Sequence, residues 1–166
     1  MRILMVLIPD VEQKSDTALR LERFLGPYYV FVDAGVDVVL ASPQGGAPWL
    51  PGKAGVTAVV RRFEQDMAAH EAVQDTLSLE QVHVDDFSGA FCIGVPGAIW
   101  DDEGHEPGAA MIARFLDRGR PVGVIPSQVD TRPHGSRHGL LIVGEAEHSP
   151  VQAARALLGA IADHID

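Results

Sequence analysis

Five apolar runs along the chain have the length and composition of strands that are buried on both faces of a sheet. In chain order they are "RILMVLIPD", "VDVVLASP", "GAFCIG", "RPVGVIPS" and "GLLIVGEA". Continuous apolar runs, unlike alternating apolar and polar residues, are typical of parallel strands that have helices on both sides. The pattern therefore predicts a mainly parallel sheet in the interior of the protein.

The segment "SDTALRLERFLGPYYVFVDAG" between the first two runs predicts a helix. Ser15 or Asp16 can cap its first turn, and the residues that follow supply an apolar face. We expect Gly26–Pro27 to interrupt this helix, which then resumes and ends at Gly35. After the second run, "QGGAPWLPGKAG" has the composition of a turn-rich loop.

The segment "VTAVVRRFEQDMAAHEAVQDTLSLEQV" predicts mostly helix with Phe63, Met67 and Val73 on its apolar side. It lies before the third apolar run. We therefore expect a helical excursion from the sheet over residues 51–83.

Two amphipathic helices are predicted in the second half of the chain. The first, "EPGAAMIARFLDRG", has Pro107 near its start and Gly119 after its end. Its apolar face consists of Met111, Ile112, Phe115 and Leu116. The second ends the chain, with Ser149 as its cap and Pro150 at its first position.

Alternation of these strands and helices predicts a single α/β domain over residues 1–166, with a flavodoxin-like, doubly wound, mainly parallel sheet and helices on both faces. Ligands of such sheets bind beyond the carboxyl ends of the strands. Four segments are expected to surround one crevice there: residues 9–10, 94–100, 126–128 and 144–148.

Composition narrows the classes of function. The 166 residues carry a formal net charge of -10, which repels phosphate backbones and anionic lipids, so we expect neither nucleic-acid nor membrane binding. No apolar run approaches the ~18 residues of a membrane span, and we predict a cytoplasmic protein. Cys92 is the only cysteine, so no intrachain disulfide can form.

Several segments resemble the ThiJ/PfpI branch of the class I glutamine-amidotransferase-like superfamily. They are "TALRLERFLGPYYVFVDAGVDVVLASPQGGAPW", "FSGAFCIGVPGAIWD", "RGRPVGVIPS" and "GLLIVGEAEHSPVQAARALLGAI". The resemblance implies that residues 51–83 form a small cap over the site. It also implies that the connection over residues 129–139 is shorter than in typical members.

The same resemblance places the family's nucleophile elbow at "GVIPSQVD". The nucleophilic Cys falls on Pro126, the following His falls on Ser127, and the following Gly falls on Gln128. Proline has no thiol, hydroxyl or N–H group, and a serine hydroxyl cannot serve as a general base near neutral pH. The residues that carry the family's cysteine chemistry are therefore absent.

Two further positions of the resembling site are changed. The carboxylate that faces the elbow falls on Arg23, while Glu22 matches the preceding Glu of the family. In the oxyanion loop Gly94 and Gly97 remain, but Val95 and Pro96 replace a Gly-His pair, so that Pro96 removes an N–H donor.

We therefore expect a non-catalytic relative, or pseudoenzyme, that binds a small molecule or a partner protein and forms a homodimer, as this family commonly does. No cofactor and no metal ion are expected. The expected binding residues are Glu22, Gly94, Val95, Gly97, Trp100, Asp101, Gln128 and His148.

Two alternatives remain open at this stage. An enzyme with a rebuilt, Cys-independent site, such as a hydrolase, a lyase or a glyoxalase-like activity, would use candidates among Glu22, Asp101, His105, Ser127 and His138. A metal site would need two loops to meet, one with Asp101, Asp102, Glu103, His105 and Glu106 and the other with Asp130, His134 and His138. Together they could offer a 2-His-1-carboxylate set, although the spacing matches no recognised ligand pattern. A structural subunit that needs another chain to complete its sheet is the second alternative.

Overall fold

The computed structural model describes residues 1–9, 19–52, 55–94, 107–125, 141–143 and 150–165. Within them, seven strands form one sheet. They are β1 (Arg2–Ile8), β2 (Asp37–Ser42), β3 (Gln44–Gly46), β4 (Thr76–Ser78), β5 (Gly89–Gly94), β6 (Val122–Ile125) and β7 (Leu141–Val143). The strand order is β3-β4-β2-β1-β5-β6-β7. All neighbours run parallel except β3 and β4, which are antiparallel.

Helices cover both faces of this sheet. They are α1 (Leu21–Asp33), α2 (Ala58–Gln65), α3 (Met67–Gln74), α4 (Pro107–Asp117) and α5 (Pro150–Ile165), and two 3-10 turns span Leu79–Gln81 and Val84–Asp86. One core cluster joins alternate residues of β1 to α1, α2, α3 and α5. The other cluster joins the intervening residues to α4 and the 3-10 turns. The predicted doubly wound α/β fold is therefore confirmed.

Helix α1 corrects two expectations. It begins at Leu21 with Arg20 at the N-cap position, later than predicted, and the predicted caps Ser15 and Asp16 lie outside the described residues. It also runs without a break through Gly26 and Pro27, where an interruption was predicted.

Tertiary packing explains why the proline is tolerated within α1. Pro27 is buried, and so are the aromatic side chains Phe24, Tyr28, Tyr29 and Phe31 of the same helix. A Cβ at Gly26 would lie 3.1 Å from a methyl group of Val151 in α5, so the glycine allows the two helices to approach closely. Burial of this face offsets the hydrogen bond that a proline removes from a helix.

The end of α1 agrees with the prediction. Gly35 has a φ of 72°, and its N–H donates to the carbonyl oxygen of Val32 at 3.0 Å. The N–H of Val36 donates to the carbonyl oxygen of Phe31 at 3.1 Å. These two bonds form a Schellman motif, in which glycine takes the left-handed conformation without steric cost and the chain turns into β2.

The predicted long helix of the excursion is instead two helices and a strand. Asp66 has extended backbone angles, and its side chain accepts a hydrogen bond from the N–H of Ala69, so it caps a new helix. The new helix buries Ala69 and Val73 and leaves Met67 70% exposed. The expectation that Met67 lies on the apolar side was wrong because the break at Asp66 changes the helical phase, whereas Phe63 and Val73 are buried as predicted.

Strands β3 and β4 were not predicted. Each has only three residues, which is too short for a periodic pattern. The hydroxyl groups of Ser42 and Thr76 form a buried hydrogen bond of 2.7 Å between β2 and β4, and Thr76 also donates to the carbonyl oxygen of Gly46 in β3. Side-chain hydrogen bonds thus join the three strands at this edge of the sheet.

The second half of the chain matches the prediction more closely. Helix α4 buries its four predicted apolar residues, and Gly119 follows it with a φ of 68°. Pro150 is the first residue of α5, as expected, whereas its predicted cap Ser149 lies outside the described residues. Among the helices that the structure describes, none combines the length and apolar character needed to cross a bilayer.

Two glycines provide a matched test of the packing. A Cβ at Gly123 in β6 would lie 2.7 Å from the ring of Phe91, which itself packs against Phe31, so we expect Gly123→Ala to destabilise the protein by about 1–3 kcal/mol. A Cβ at Gly159 in α5 would contact nothing within 4 Å. Because alanine favours helix, we expect Gly159→Ala to stabilise the protein by about 0.5–1 kcal/mol. Urea unfolding followed by circular dichroism measures both changes, and effects of the same sign would contradict the packing described here.

Candidate functional site

The ends of three adjacent strands locate the predicted crevice. Ile8 at the end of β1 pairs with Gly94 at the end of β5, and Ile93 pairs with Ile125 at the end of β6. The carboxyl ends of these three strands therefore lie side by side at one edge of the sheet. This is the position at which parallel α/β sheets bind their ligands.

Gly94 is the predicted site residue whose surroundings are best defined. A Cβ at this position would lie 2.6 Å from the Cβ of Ile8 and 2.9 Å from its carbonyl oxygen. The atoms of Ile8 belong to a buried strand and cannot move away. Glycine at residue 94 is thus required for β1 and β5 to end at the same level of the sheet.

The first turn of α1 carries Glu22 and Arg23, which are both partly buried and both have interaction partners. In a β–α–β unit with parallel strands, the helix begins at the carboxyl edge. The N–H of Leu21 donates to the carbonyl oxygen of Pro51 at 3.0 Å. A Cβ at Gly52 would lie 2.6 Å from the Cβ of Leu21 and 3.6 Å from Oε1 of Glu22. The beginning of the excursion therefore packs directly on the turn that presents Glu22.

Four polar side chains, which we call the clasp, bind the excursion to the other end of α1. Arg62 of α2 donates to both carboxylate oxygens of Asp33 at 3.0 and 2.7 Å, and its guanidinium carbon lies 3.8 Å from the ring centre of Tyr29. The hydroxyl of Tyr29 donates to Asp66 at 3.1 Å. Both ends of α1 thus hold the excursion.

The charges of the clasp change the acid–base properties of its members. Hydrogen bonds from Arg62 lower the pKa of the Asp33 carboxyl below its usual value. Burial and the hydrogen bond to Asp66 raise the pKa of Tyr29 above its usual value. Asp33 therefore stays ionised and Tyr29 stays protonated across the neutral pH range, and the clasp keeps its charges there.

The clasp can be tested with two neighbouring arginines. We expect Arg62→Gln to increase hydrogen exchange of the α2 and α3 amides by a factor of about two to five, which corresponds to an exposed cation–π contact. Arg61→Gln is the control, because Arg61 makes only a 3.5 Å bond to the carbonyl oxygen of Gly55. Equal exchange in the two variants, measured by mass spectrometry, would show that the clasp does not hold the excursion.

The single thiol lies inside the sheet. Cys92 is fully buried in the middle of β5, where its register partners are Val6 of β1 and Val124 of β6. Burial raises the pKa of the Cys92 thiol to about 12. Cys92 is thus a core residue, since a nucleophilic cysteine needs a low pKa and access to its substrate.

Thiol labelling measures this burial directly. Near pH 8 a thiol with such a pKa is ionised in only about 1 molecule in 10,000. We expect Ellman's reagent to leave Cys92 unmodified in the native protein and to label one thiol per chain after denaturation in urea. Rapid stoichiometric labelling of the native protein would contradict the buried position.

Most of the other predicted site residues lie outside the described part of the chain. These are Val95, Pro96, Gly97, Trp100, Asp101, His105, Pro126, Ser127, Gln128, Asp130, His134, His138 and His148. Within the described ranges, no three His, Cys, Asp or Glu side chains are grouped so that they could hold a metal ion. Ile125, the last residue of β6, is 1% exposed and belongs to the core.

The contacts of Pro51, Gly52 and the clasp residues were not predicted from the sequence. Gly52 lies in a turn-rich stretch in which glycine has no special meaning by itself. Arg62 was assigned only to a helix. Because Asp33 and Arg62 are separated by 29 residues, no local pattern indicates their pairing.

No protein-family model matches the sequence, and no curated protein matches it. Solved structures match over nearly the whole chain. Rapid Encystment Protein 24 KDa from Francisella tularensis has a TM-score of 0.72 at 14% identity, over 96% of this chain and 98% of that one. Glyoxalase III from Candida albicans has a TM-score of 0.71 at 12% identity, over 96% and 97%. A ThiJ/PfpI domain protein from Brachyspira murdochii has a TM-score of 0.59 at 14% identity, over 98% and 96%.

The chain has the ThiJ/PfpI fold. The resemblance seen in the sequence segments is thereby confirmed for the fold. Structural similarity at these low identities shows the arrangement of strands and helices only. Any chemistry must be argued from the individual residues. In this fold the described β6 ends at Ile125, and the next residue in the sequence is Pro126.

Proposed function

We propose that this protein is a non-catalytic relative of the ThiJ/PfpI proteins that binds a small molecule or a partner protein at the carboxyl edge of its sheet. The observation that carries the proposal is the end of β6 at Ile125, directly before Pro126. In the family that the sequence resembles, the nucleophilic cysteine follows this strand. Proline offers no nucleophilic atom and no N–H donor.

The only thiol of the chain supports the same proposal. Cys92 lies in the strand interior, two residues before the end of β5, and is fully buried. Its pKa of about 12 leaves almost no thiolate near neutral pH. Cysteine-dependent amidase, protease or glyoxalase chemistry therefore has no available nucleophile.

The residues expected around the elbow add further support. The family's carboxylate is replaced by Arg23 in the first turn of α1, where a fixed positive charge cannot accept a proton. Pro96, two residues after the end of β5, removes an N–H that an oxyanion loop would supply. Ser127 stands where the family has histidine. All three changes affect residues that the family uses for its cysteine-dependent reaction.

Binding is the function that this edge of the sheet still permits. Glu22 and Gly94 are the proposed contacts within the described residues, and the remaining proposed contacts are Val95, Gly97, Trp100, Asp101, Gln128 and His148. We propose that the protein acts as a homodimer, because the family that it resembles commonly dimerises. Neither a cofactor nor a metal ion is part of the proposal.

The first test is consumption of methylglyoxal, which a glyoxalase-like activity would convert. We expect no turnover above the buffer rate by the purified wild-type protein or by Cys92→Ala. The alanine variant removes the thiol without placing a polar group in the core. Thermal unfolding of both proteins verifies that they are folded.

Turnover by both proteins would overturn the proposal in favour of an enzyme with a rebuilt site. Loss of that turnover in Ser127→Ala, Asp101→Asn or His138→Gln would identify the group responsible. Turnover that disappears only in Cys92→Ala would mean that the elbow lies elsewhere in the chain. If no turnover is found, a thermal-shift screen of small molecules on the wild type, repeated on Glu22→Gln, tests binding at the proposed crevice.

A further inference from the structure

A second recess lies at the opposite, amino edge of the sheet. It has a volume of about 320 Å³ and separates the 3-10 turn Val84–Asp86, which precedes β5, from the last turns of α4. Val82 and Val84 line one side, and Arg114 and Arg118 line the other. The recess shares no residue with the candidate site at the carboxyl edge.

An ion pair connects the two sides of the recess. Nη1 of Arg118 lies 2.6 Å from Oδ1 of Asp85, and Nη2 of Arg120 lies 3.6 Å from the same oxygen. Two guanidinium groups thus share one carboxylate oxygen. The side chains of Arg118 and Asp85 are largely exposed, so the ion pair is a weak one, and two guanidinium groups leave positive charge that Asp85 alone does not balance.

Arg114 lies one helical turn before Arg118, so both project from the same side of α4. Its hydrogen-bond partner is the sulfur of Met111, at 3.6 Å from Nη2. A thioether is a weak acceptor and carries no charge. Among the described residues Arg114 has no carboxylate within ion-pair distance, and its guanidinium donors line the recess.

We propose that this recess binds a small monocarboxylate with a short apolar chain. The planar guanidinium of Arg114 matches a carboxylate through two parallel hydrogen bonds, and Arg118 adds a second positive charge one turn away. The partly buried Val84 provides an apolar surface for the chain, and Val82 beneath it belongs to the core.

The charge of the other side chains favours a monoanion over a phosphate dianion. Asp85 and Asp117 also line the recess. Both repel an anion, and the repulsion increases with the charge of the ligand. A carboxylate places a single charge on the arginines, whereas a phosphate brings close to two charges near the same aspartates.

Butyrate is the probe that tests this proposal. We expect titration of the 15N-labelled protein to give saturable chemical-shift changes confined to the amides of residues 82–85 and 114–118, with a dissociation constant in the millimolar range. Because a hydrogen bond to a charged group is lost, Arg114→Gln should weaken binding about tenfold. Arg114→Lys keeps the charge but cannot form the two parallel hydrogen bonds, so it should give an intermediate affinity.

Two controls separate this site from nonspecific effects. Arg61→Gln removes one exposed arginine from another helix and should leave butyrate binding unchanged. Butan-1-ol has the same chain without the charge and should not bind. Shifts that do not saturate, an unchanged affinity in Arg114→Gln, equal shifts with butan-1-ol, or tighter binding of inorganic phosphate would each overturn the proposal.

Discussion

The burial of β1 on both of its faces organises the rest of the molecule. Every residue from Ile3 to Ile8 is nearly or completely buried, and the strand pairs with β2 on one side and β5 on the other. Because successive side chains of a strand point to opposite faces, β1 contributes to both core clusters at once. Helices must therefore cover both faces, and the sheet becomes the middle layer of three.

This central position also determines where function can be located. Ile8 and Gly94 end their strands as register partners, and the absence of a side chain at Gly94 allows that close approach. The same layer that places these ends together encloses Cys92 between Val6 and Val124. The architecture thus brings three strand ends together at the carboxyl edge while it makes the only thiol of the chain inaccessible.

The excursion over residues 51–83 shows how contacts between distant residues complete this arrangement. Gly52 packs on the first turn of α1, whereas Arg62 and Asp66 contact Asp33 and Tyr29 near its last turns. The first and the last turns of α1 therefore both hold the excursion. Burial and the hydrogen bond to Asp66 raise the pKa of Tyr29, and hydrogen bonds from Arg62 lower the pKa of Asp33, so both shifts lead further away from the neutral range.

The sequence alone determined five of the seven described strands and most of the helices, and it places a proline where the resembling family has its nucleophilic cysteine. Long buried strands and the face of α4 have a periodicity that is visible within a few residues, and Pro126 has no nucleophilic atom in any conformation. Only the tertiary structure decided the unbroken course of α1 through Pro27, the exposure of Met67, the pairing of β4 with β2 and the recess beside Arg114. The course of α1, the β4 pairing and the recess depend on groups distant in the chain, whose packing and hydrogen bonds outweigh local preference. The exposure of Met67 follows from the new helix that Asp66 caps.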